Sequence, residues 1–177
     1  IIKLANHKSY VYEDNYINLL SVARLSSEKG IDRAIDVLAS TGRKDIKYYI
    51  VGDGPQKDFL QEKIKEYNME KQVFLLGEQQ NPYRYMINAD YLLVPSIHEA
   101  APMVFDEANL LKLPIISTNT TSAKEMVLSN GGIVYENSAE ITNTLKNIKK
   151  EWPKQAHYLT NEIQKEQLTC LLNGQEV

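Results

Sequence analysis

Two glutamates, Glu99 and Glu107, lie eight positions apart and are the side chains of this sequence best suited to bind a ligand. They follow the apolar run at residues 91–94, which predicts a buried strand, and they border an apolar stretch with helical spacing. Both therefore surround a strand-to-helix turn, the place where open parallel sheets hold ligands. Carboxylates accept hydrogen bonds without donating any, so the pair suits a ligand that carries hydroxyl groups.

Pro102 indicates where the following helix begins. Proline is tolerated in the first helical turn but not in a helix interior, which places Glu99 in the loop and Glu107 inside the helix. The unpaired amides of Met103 and Val104 would then point out of the helix N-terminus, where free donors and the helix dipole favour a phosphate. An anion site flanked by two carboxylates suits a nucleotide sugar, which carries hydroxyls beside phosphate.

A purely structural alternative exists for the same segment. Ser96 and Glu99 match a capping box, in which both side chains only complete a helix end. That helix would begin at Ile97 and carry Pro102 in its second turn, where the ring removes a hydrogen bond and clashes. The ligand interpretation is therefore favoured.

Two cations, Arg24 and Lys29, follow the first predicted strand in a turn that enters a helix. In the commonest doubly wound order the first and fourth strands are neighbours, so the cations would face the glutamate turn across one crevice. Arginine offers phosphate a planar fork and lysine a mobile charge, so together they can neutralise a diphosphate without a metal. Either charge alone would be unremarkable, because charged residues are commonplace in such loops.

Gly52 and Gly54 follow the second predicted strand. Glycines let the backbone approach a ligand, and Pro55 suits the first turn of the next helix. The pattern is not a G-x-G-x-x-G fingerprint, so ordinary dinucleotide binding loses support. A tight turn without a ligand is an equal alternative.

The elements that must position these residues alternate along the chain. Strands are predicted at 17–23, 47–51, 73–76, 91–94, 114–117 and 132–135, and helices at 30–39, 56–67, 82–88, 102–112, 122–128 and 139–149. This alternation predicts an α/β fold with a doubly wound parallel six-stranded sheet covered on both faces. The predicted organisation is a linker or edge segment at 1–16, a Rossmann-like nucleotide-sugar-binding domain at 17–150, and a helical tail at 151–177.

Composition limits the classes of protein and site. The 177 residues, 43% of them apolar, fit one globular domain, and the chain begins with Ile1, which indicates a fragment of a longer protein. No apolar run is close to the length of about 18 residues that a membrane-spanning helix requires. Cys170 is the single cysteine and the histidines are scattered, so no metal site is expected. The net charge of -3 gives no general attraction for nucleic acid.

Taken together, these residues resemble the C-terminal, donor-binding domain of retaining GT-B glycosyltransferases of family 4, the glycosyl transferases group 1 type. The resemblance runs in order from about residue 19 to residue 135 and is jointly specific. The matching residues are 21–25, 29–30, 50–55, 73–77, 89–90, 94–96, the E-x7-E element and its next residue at 99–108, 113–116, Glu125 and 131–132.

The resemblance implies three residues at the reacting end of the donor. Arg24 and Lys29 would hold the diphosphate and stabilise the leaving nucleoside diphosphate, while Glu99 would bind hydroxyls of the donor sugar. Such enzymes transfer a sugar, here of hexosyl type, from a UDP- or GDP-sugar to a glycan or lipid-linked acceptor. Transfer usually needs no metal, so no cofactor is expected.

The resemblance also implies the residues that bind the nucleotide. Glu107 would bind the ribose hydroxyls, and the amides of Met103 and Val104 would bind phosphate. The base would lie near Gly52 to Gly54 and the segment after Leu76.

Nothing in the sequence resembles the N-terminal acceptor domain of such an enzyme, so the chain is expected to be a donor-binding half that is inactive alone. The alternatives are a GT-B nucleotide-sugar epimerase and a non-catalytic nucleotide-binding module. Keeping both cations and both glutamates favours the transferase, because a module without chemistry has no physical need for all four. The resemblance implies polysaccharide biosynthesis for the cell envelope, in the cytoplasm, with peripheral association of the full-length protein at the inner face of the membrane.

Overall fold

Six parallel strands form one sheet in the computed structural model, which describes residues 12–97, 103–120, 123–128 and 132–150. The order across the sheet is β3-β2-β1-β4-β5-β6, and each neighbouring pair is parallel. The predicted doubly wound, Rossmann-like α/β fold is therefore confirmed. The strands are β1 Ile17–Val22, β2 Ile46–Val51, β3 Val73–Gly77, β4 Tyr91–Val94, β5 Ile115–Thr118 and β6 Ile133–Tyr135.

Helices connect successive strands. They are α1 Ile31–Thr41, α2 Lys57–Glu66, α3 Tyr83–Met86, α4 Met103–Leu110, α5 Ala123–Leu128 and α6 Ser138–Asn147, with a short 3-10 turn at Ser27–Lys29 before α1. The prediction of a helix over 82–88 is wrong in its length. The amides of Asn88 and Ala89 both bond to the Tyr85 carbonyl, so the chain leaves the helix in a turn before β4.

Two apolar layers hold the helices against the sheet. Successive strand residues point to opposite faces, so Leu19 packs with α1 and α6 while Leu20 packs with α4 and α5. Both leucines are fully buried. Burial of such a side chain contributes about 1.5–3 kcal/mol. Helix α1 therefore leaves β1 toward one face of the sheet, whereas α4 leaves β4 toward the other.

The described part of the predicted linker packs against the domain. The Tyr12 ring lies edge-on to Tyr49, with the ring centroids 4.6 Å apart. The Lys150 ammonium donates to the carbonyls of Asp14 and Tyr16 at 2.7 and 3.0 Å. Residues 12–16 are thus an edge piece of the domain, whereas 1–11 and the predicted tail at 151–177 lie outside the described residues.

Candidate functional site

The candidate site lies where β1 and β4 run side by side. Leu19 pairs with Tyr91 and Leu20 with Leu92, as the predicted strand order requires. The strand order reverses at this pair, and the two following helices leave toward opposite faces. The loops that leave the carboxyl ends of β1 and β4 therefore border one crevice.

Hydrogen bonds join these two loops directly. The Ile97 amide donates to the Glu28 carbonyl at 2.8 Å. The Arg33 guanidinium, at the start of α1, donates to the Pro95 carbonyl at 2.7 Å. A side chain at Gly30, whose φ is +65°, would place its Cβ 2.2 Å from the Pro95 oxygen. The turn that carries the predicted cations is therefore fixed against the segment that leads toward Glu99.

The two cations occupy different positions in that turn. Arg24 is exposed, and its backbone lies between two bonds to the β2 loop, from the Ala23 amide to Val51 and from the Leu25 amide to Asp53, both 3.0 Å. Lys29 ends the 3-10 turn and is half-buried. The backbone on either side of Arg24 is thus held by hydrogen bonds to Val51 and Asp53, and phosphate binding by Arg24 and Lys29 stays a prediction.

The structure shows why glycine is required at positions 52 and 54, which the sequence did not reveal. A Cβ on Gly52, whose φ is +140°, would lie 1.9 Å from the Ala23 oxygen, and one on Gly54 would lie 2.5 Å from the Leu25 oxygen. Both glycines are therefore required for close packing between the β1 and β2 loops. Their contact with a nucleotide stays a prediction.

Helix α4 is described over Met103–Leu110, while the predicted loop and Pro102 lie outside the described residues. Met103 is 73% exposed and Val104 is half-buried. The binding of phosphate by their amides stays a prediction. Ile97 forms a bend and not the first turn of a helix, which argues against the capping-box alternative. Glu99 itself lies outside the described residues.

Glu107 is half-buried on α4 and has a partner that the sequence analysis missed. The Tyr83 hydroxyl, on α3, donates to Glu107 Oε1 at 2.9 Å. Burial and this carboxylate raise the pKa of Tyr83 to about 12. The sequence did not point to this contact, because spacing along the chain does not encode a contact between side chains 24 residues apart on two helices.

Arg33, which joins the two loops of the crevice, is the second residue that sequence reasoning missed. It lies one helical turn after Gly30, but no pattern in the sequence connects it with Pro95, 62 residues away.

In the described ranges, no group of three or more histidine, cysteine or acidic side chains could hold a metal ion. None of the helices described there is both long and apolar enough to cross a membrane.

Curated proteins similar to this chain are glycosyltransferases. An uncharacterized glycosyltransferase of Methanocaldococcus jannaschii is 31% identical over 120 residues, which is 67% of this chain and 29% of that protein. The amylovoran biosynthesis glycosyltransferase AmsD of Erwinia amylovora is 31% identical over 124 residues, covering 70% of this chain and 35% of that protein. The chain thus spans about a third of the length of these relatives.

Solved structures show the same fold. WaaG, a glycosyltransferase involved in lipopolysaccharide biosynthesis, superposes with a TM-score of 0.70 at 22% identity over 92% of this chain and 48% of that one. HepE of Anabaena, solved in complex with UDP, superposes with a TM-score of 0.69 at 23% identity over 90% of this chain and 49% of that one. The domain described here therefore accounts for about half of each of those chains.

The sequence profile that describes glycosyl transferases group 1 matches residues 3–166, which is nearly the whole chain. The match includes every described element of the sheet and both loops of the crevice. With the sheet order and the related sequences, this match shows that the chain belongs to the glycosyl transferases group 1 family, whose members have the GT-B fold.

Proposed function

We propose that this chain is the C-terminal, nucleotide-sugar-binding part of a retaining glycosyltransferase of family 4, which transfers a hexosyl group from an NDP-sugar to a glycan or lipid-linked acceptor. The observation that carries the proposal is the direct bonding between the turn of Arg24 and Lys29 and the segment after β4. These bonds support the proposal because they join the turn of the two cations to the segment that leads, along the chain, toward the helix of Glu107. The names of the relatives support the reaction class and a role in polysaccharide biosynthesis.

The chemistry follows from charge. As the bond between sugar and diphosphate breaks, negative charge accumulates on the departing nucleoside diphosphate. Arg24 and Lys29 stabilise that charge more strongly in the transition state than in the bound donor, which lowers the barrier. Glu99 orients the donor sugar through its hydroxyls, and Glu107 holds the ribose. Arg24 and Lys29 supply the electrostatic stabilisation without a metal cofactor.

Transfer needs the remainder of the protein. The relatives are about three times as long as the matched segment, in keeping with a separate acceptor domain. The acceptor must be held about 3–3.5 Å from the reacting carbon with water excluded. The chain alone therefore binds donor but does not transfer sugar, and the full-length protein acts in the cytoplasm, associated with the inner face of the membrane.

Calorimetry with UDP and GDP tests the diphosphate site directly. Arg24→Ala removes an exposed guanidinium whose charge-assisted contact contributes about 1.5–3 kcal/mol, so affinity falls about 10- to 100-fold. Lys44→Ala is the matched control, since Lys44 is also exposed but precedes β2 at the opposite end of the sheet. Equal nucleotide binding by wild type and Arg24→Ala would overturn the assignment.

The two glutamates are separated by a second pair of variants. Glu107→Gln weakens nucleoside diphosphate and nucleotide sugar alike, because both contain ribose, whereas Glu99→Gln weakens only the nucleotide sugar. The comparison needs the free diphosphate and its sugar conjugate in parallel titrations. A loss of UDP or GDP affinity in Glu99→Gln as large as the loss for the sugar conjugate would show the roles to be wrong.

Product analysis distinguishes the transferase from an epimerase. An epimerase needs acid and base groups against the sugar and changes the sugar while it is still attached to its nucleotide. The full-length protein, incubated with a nucleotide sugar and no acceptor, should leave the configuration of that sugar unchanged. Appearance of an epimeric nucleotide sugar would favour the alternative.

A further inference from the structure

We propose that Tyr83 is a positioning residue that holds the Glu107 carboxylate ready for the ribose hydroxyls, so that nucleoside affinity depends on a residue outside the E-x7-E element. The inference rests on the proposed function and deepens it. It assigns a role in ribose recognition to a hydroxyl on α3, a helix that carries none of the predicted ligand-binding residues.

The bond has the geometry that positioning requires. Tyr83 donates to Glu107 Oε1 at 2.9 Å, and both side chains are partly shielded from water. A carboxylate has two oxygens with about four acceptor positions. One donor on Oε1 therefore fixes the rotamer and leaves capacity for two vicinal hydroxyls of a ribose.

Both residues stand on elements that the core holds in place. Tyr85 and Met86 lie on the same short helix as Tyr83 and are buried in the apolar layer that contains Leu20. Glu107 lies between Phe105 and Ala108, which are fully buried in the same layer. The hydroxyl and the carboxylate are thus presented from two fixed helices, and their separation does not depend on a mobile loop.

Preordering explains how this contact raises affinity. Ordering a free glutamate side chain costs up to about 1.5–2 kcal/mol of rotamer entropy. A carboxylate that is already held spends less free energy when the ribose arrives, which strengthens binding. The Tyr83 hydroxyl is protonated near neutral pH even at the ordinary tyrosine pKa of about 10, and its surroundings raise that pKa further, so it remains a donor to the carboxylate.

The competing explanation is that the bond only fastens α3 to α4. A structural fastening would affect every ligand of the domain equally. Positioning of Glu107 affects only ligands that carry the ribose hydroxyls. A nucleotide without those hydroxyls therefore separates the two explanations.

The test compares Tyr83→Phe with wild type by calorimetry on residues 1–177. The probes are UDP and GDP and their 2′,3′-dideoxy analogues. Tyr83→Phe should weaken the tighter of the two ribonucleotides about 5- to 10-fold and its dideoxy analogue less than about 2-fold. Adding Tyr83→Phe to Glu107→Gln should cause no further loss, because the carboxylate to be positioned is already gone.

Tyr67→Phe is the matched control. The Tyr67 hydroxyl also donates to a carboxylate, Asp36 Oδ1, at 2.7 Å, but on the exposed side of α2. This variant should bind both nucleotides as wild type does. Circular dichroism of each variant confirms that the comparison is made on folded protein.

Three results would overturn the proposal. Wild-type affinity in Tyr83→Phe removes the positioning role and leaves the proposed function standing, as does an equal loss for the ribonucleotide and its dideoxy analogue. Failure of the wild type to bind either UDP or GDP removes the proposed function, and the positioning role falls with it. The supporting result is a loss confined to the ribonucleotide.

Discussion

The two ends of the sheet use charged side chains in different ways. At the amino end, where the strands begin, Arg43 donates to Asp45 and to the carbonyls of Leu145 and Ile148. These bonds tie the start of β2 to the C-terminal end of α6 and the residue that follows it. At the carboxyl end, Arg24 is exposed on a backbone that is itself fixed.

The contrast teaches that position, and not residue type, separates structural charge from charge offered to a ligand. A cation that satisfies internal carbonyls cannot bind a phosphate without leaving those acceptors unpaired, at a cost of about 1–3 kcal/mol for each. An exposed cation that satisfies no internal carbonyl has no such cost. Substitution of Arg43 should therefore lower stability, whereas substitution of Arg24 should act on ligand binding.

The largest effect is expected from Asp90→Ala at the amino end. The Asp90 carboxylate is 7% exposed and accepts from the Asn18 amide at 2.7 Å and from its side chain at 3.3 Å. Removing it leaves the buried Asn18 backbone amide unpaired and takes away the carboxylate 3.9 Å from the Lys150 ammonium, so the free energy of unfolding should fall by about 3–4 kcal/mol in urea denaturation. Glu62→Ala, on an exposed helix surface, is the control and should change it by less than about 0.5 kcal/mol.

A pair of glycine substitutions compares the two ends directly. Gly30 and Gly42 have φ of +65° and +68°, but a Cβ on Gly30 would meet the Pro95 oxygen whereas one on Gly42 meets nothing within 4 Å. Gly42→Ala should cost about 1 kcal/mol for its backbone conformation alone. Gly30→Ala should cost about 2–3 kcal/mol, because backbone must also move. Thermal unfolding measures both, and equal losses would contradict the close packing of the two loops.

Arg33→Ala should have a smaller effect on stability. It removes the bond to the Pro95 carbonyl between the two loops of the crevice, and the side chain is exposed. The expected loss is about 1 kcal/mol, with faster amide hydrogen exchange at Ile97, which bonds to the same turn. Arg33→Lys keeps the charge but not the planar fork, so partial recovery would separate charge from geometry. Unchanged exchange at Ile97 would show that Arg33 does not fasten the loops.

The smallest effect is expected from Asp45→Asn and depends on pH. The hydrogen bond from Arg43 holds the pKa of Asp45 below its usual value. This stability is present above the unfolded-state pKa of about 3.9 and is lost as pH falls through the lower folded-state pKa. Because Asp45 is 57% exposed, the loss at pH 7 should be less than about 1 kcal/mol.

Denaturation from pH 7 down to about pH 2 checks the sign of that prediction. Wild type and Asp45→Asn should converge in stability at the acid end. In an Arg43→Ala background the same substitution should have no effect of this kind, because the donor that lowers the pKa is absent. A difference that persists in acid would show that Asp45 acts through something other than its charge.

The sequence predicted the sheet well because its signals are local. The apolar run of β4 and the alternation of strands with helices predicted the strands, and the commonest doubly wound order then placed β1 beside β4. Contacts between distant side chains were not predictable. The Tyr83 to Glu107 bond and the Arg33 to Pro95 bond depend on how helices pack, which residue spacing does not record.

Gly52 and Gly54 show the same limit of prediction from sequence. Gly52 and Gly54 follow a strand, as a ligand-binding turn would require, but the first neighbour that excludes a side chain at each is the chain's own backbone. A sequence can indicate that backbone approaches closely at such a residue. It cannot tell whether the approaching group is a ligand or another loop.

The strand order also has a consequence for how the protein acquires its fold. β1 lies in the middle of the sheet, yet its partner on one side, β4, is synthesised about seventy residues later, as the 72-residue separation of Asn18 and Asp90 shows. Until then a nascent β1-β2-β3 unit exposes an unpaired strand edge that can join another chain. Because parallel pairing over such a distance has a high entropic barrier, we expect slow refolding that loses yield as protein concentration rises.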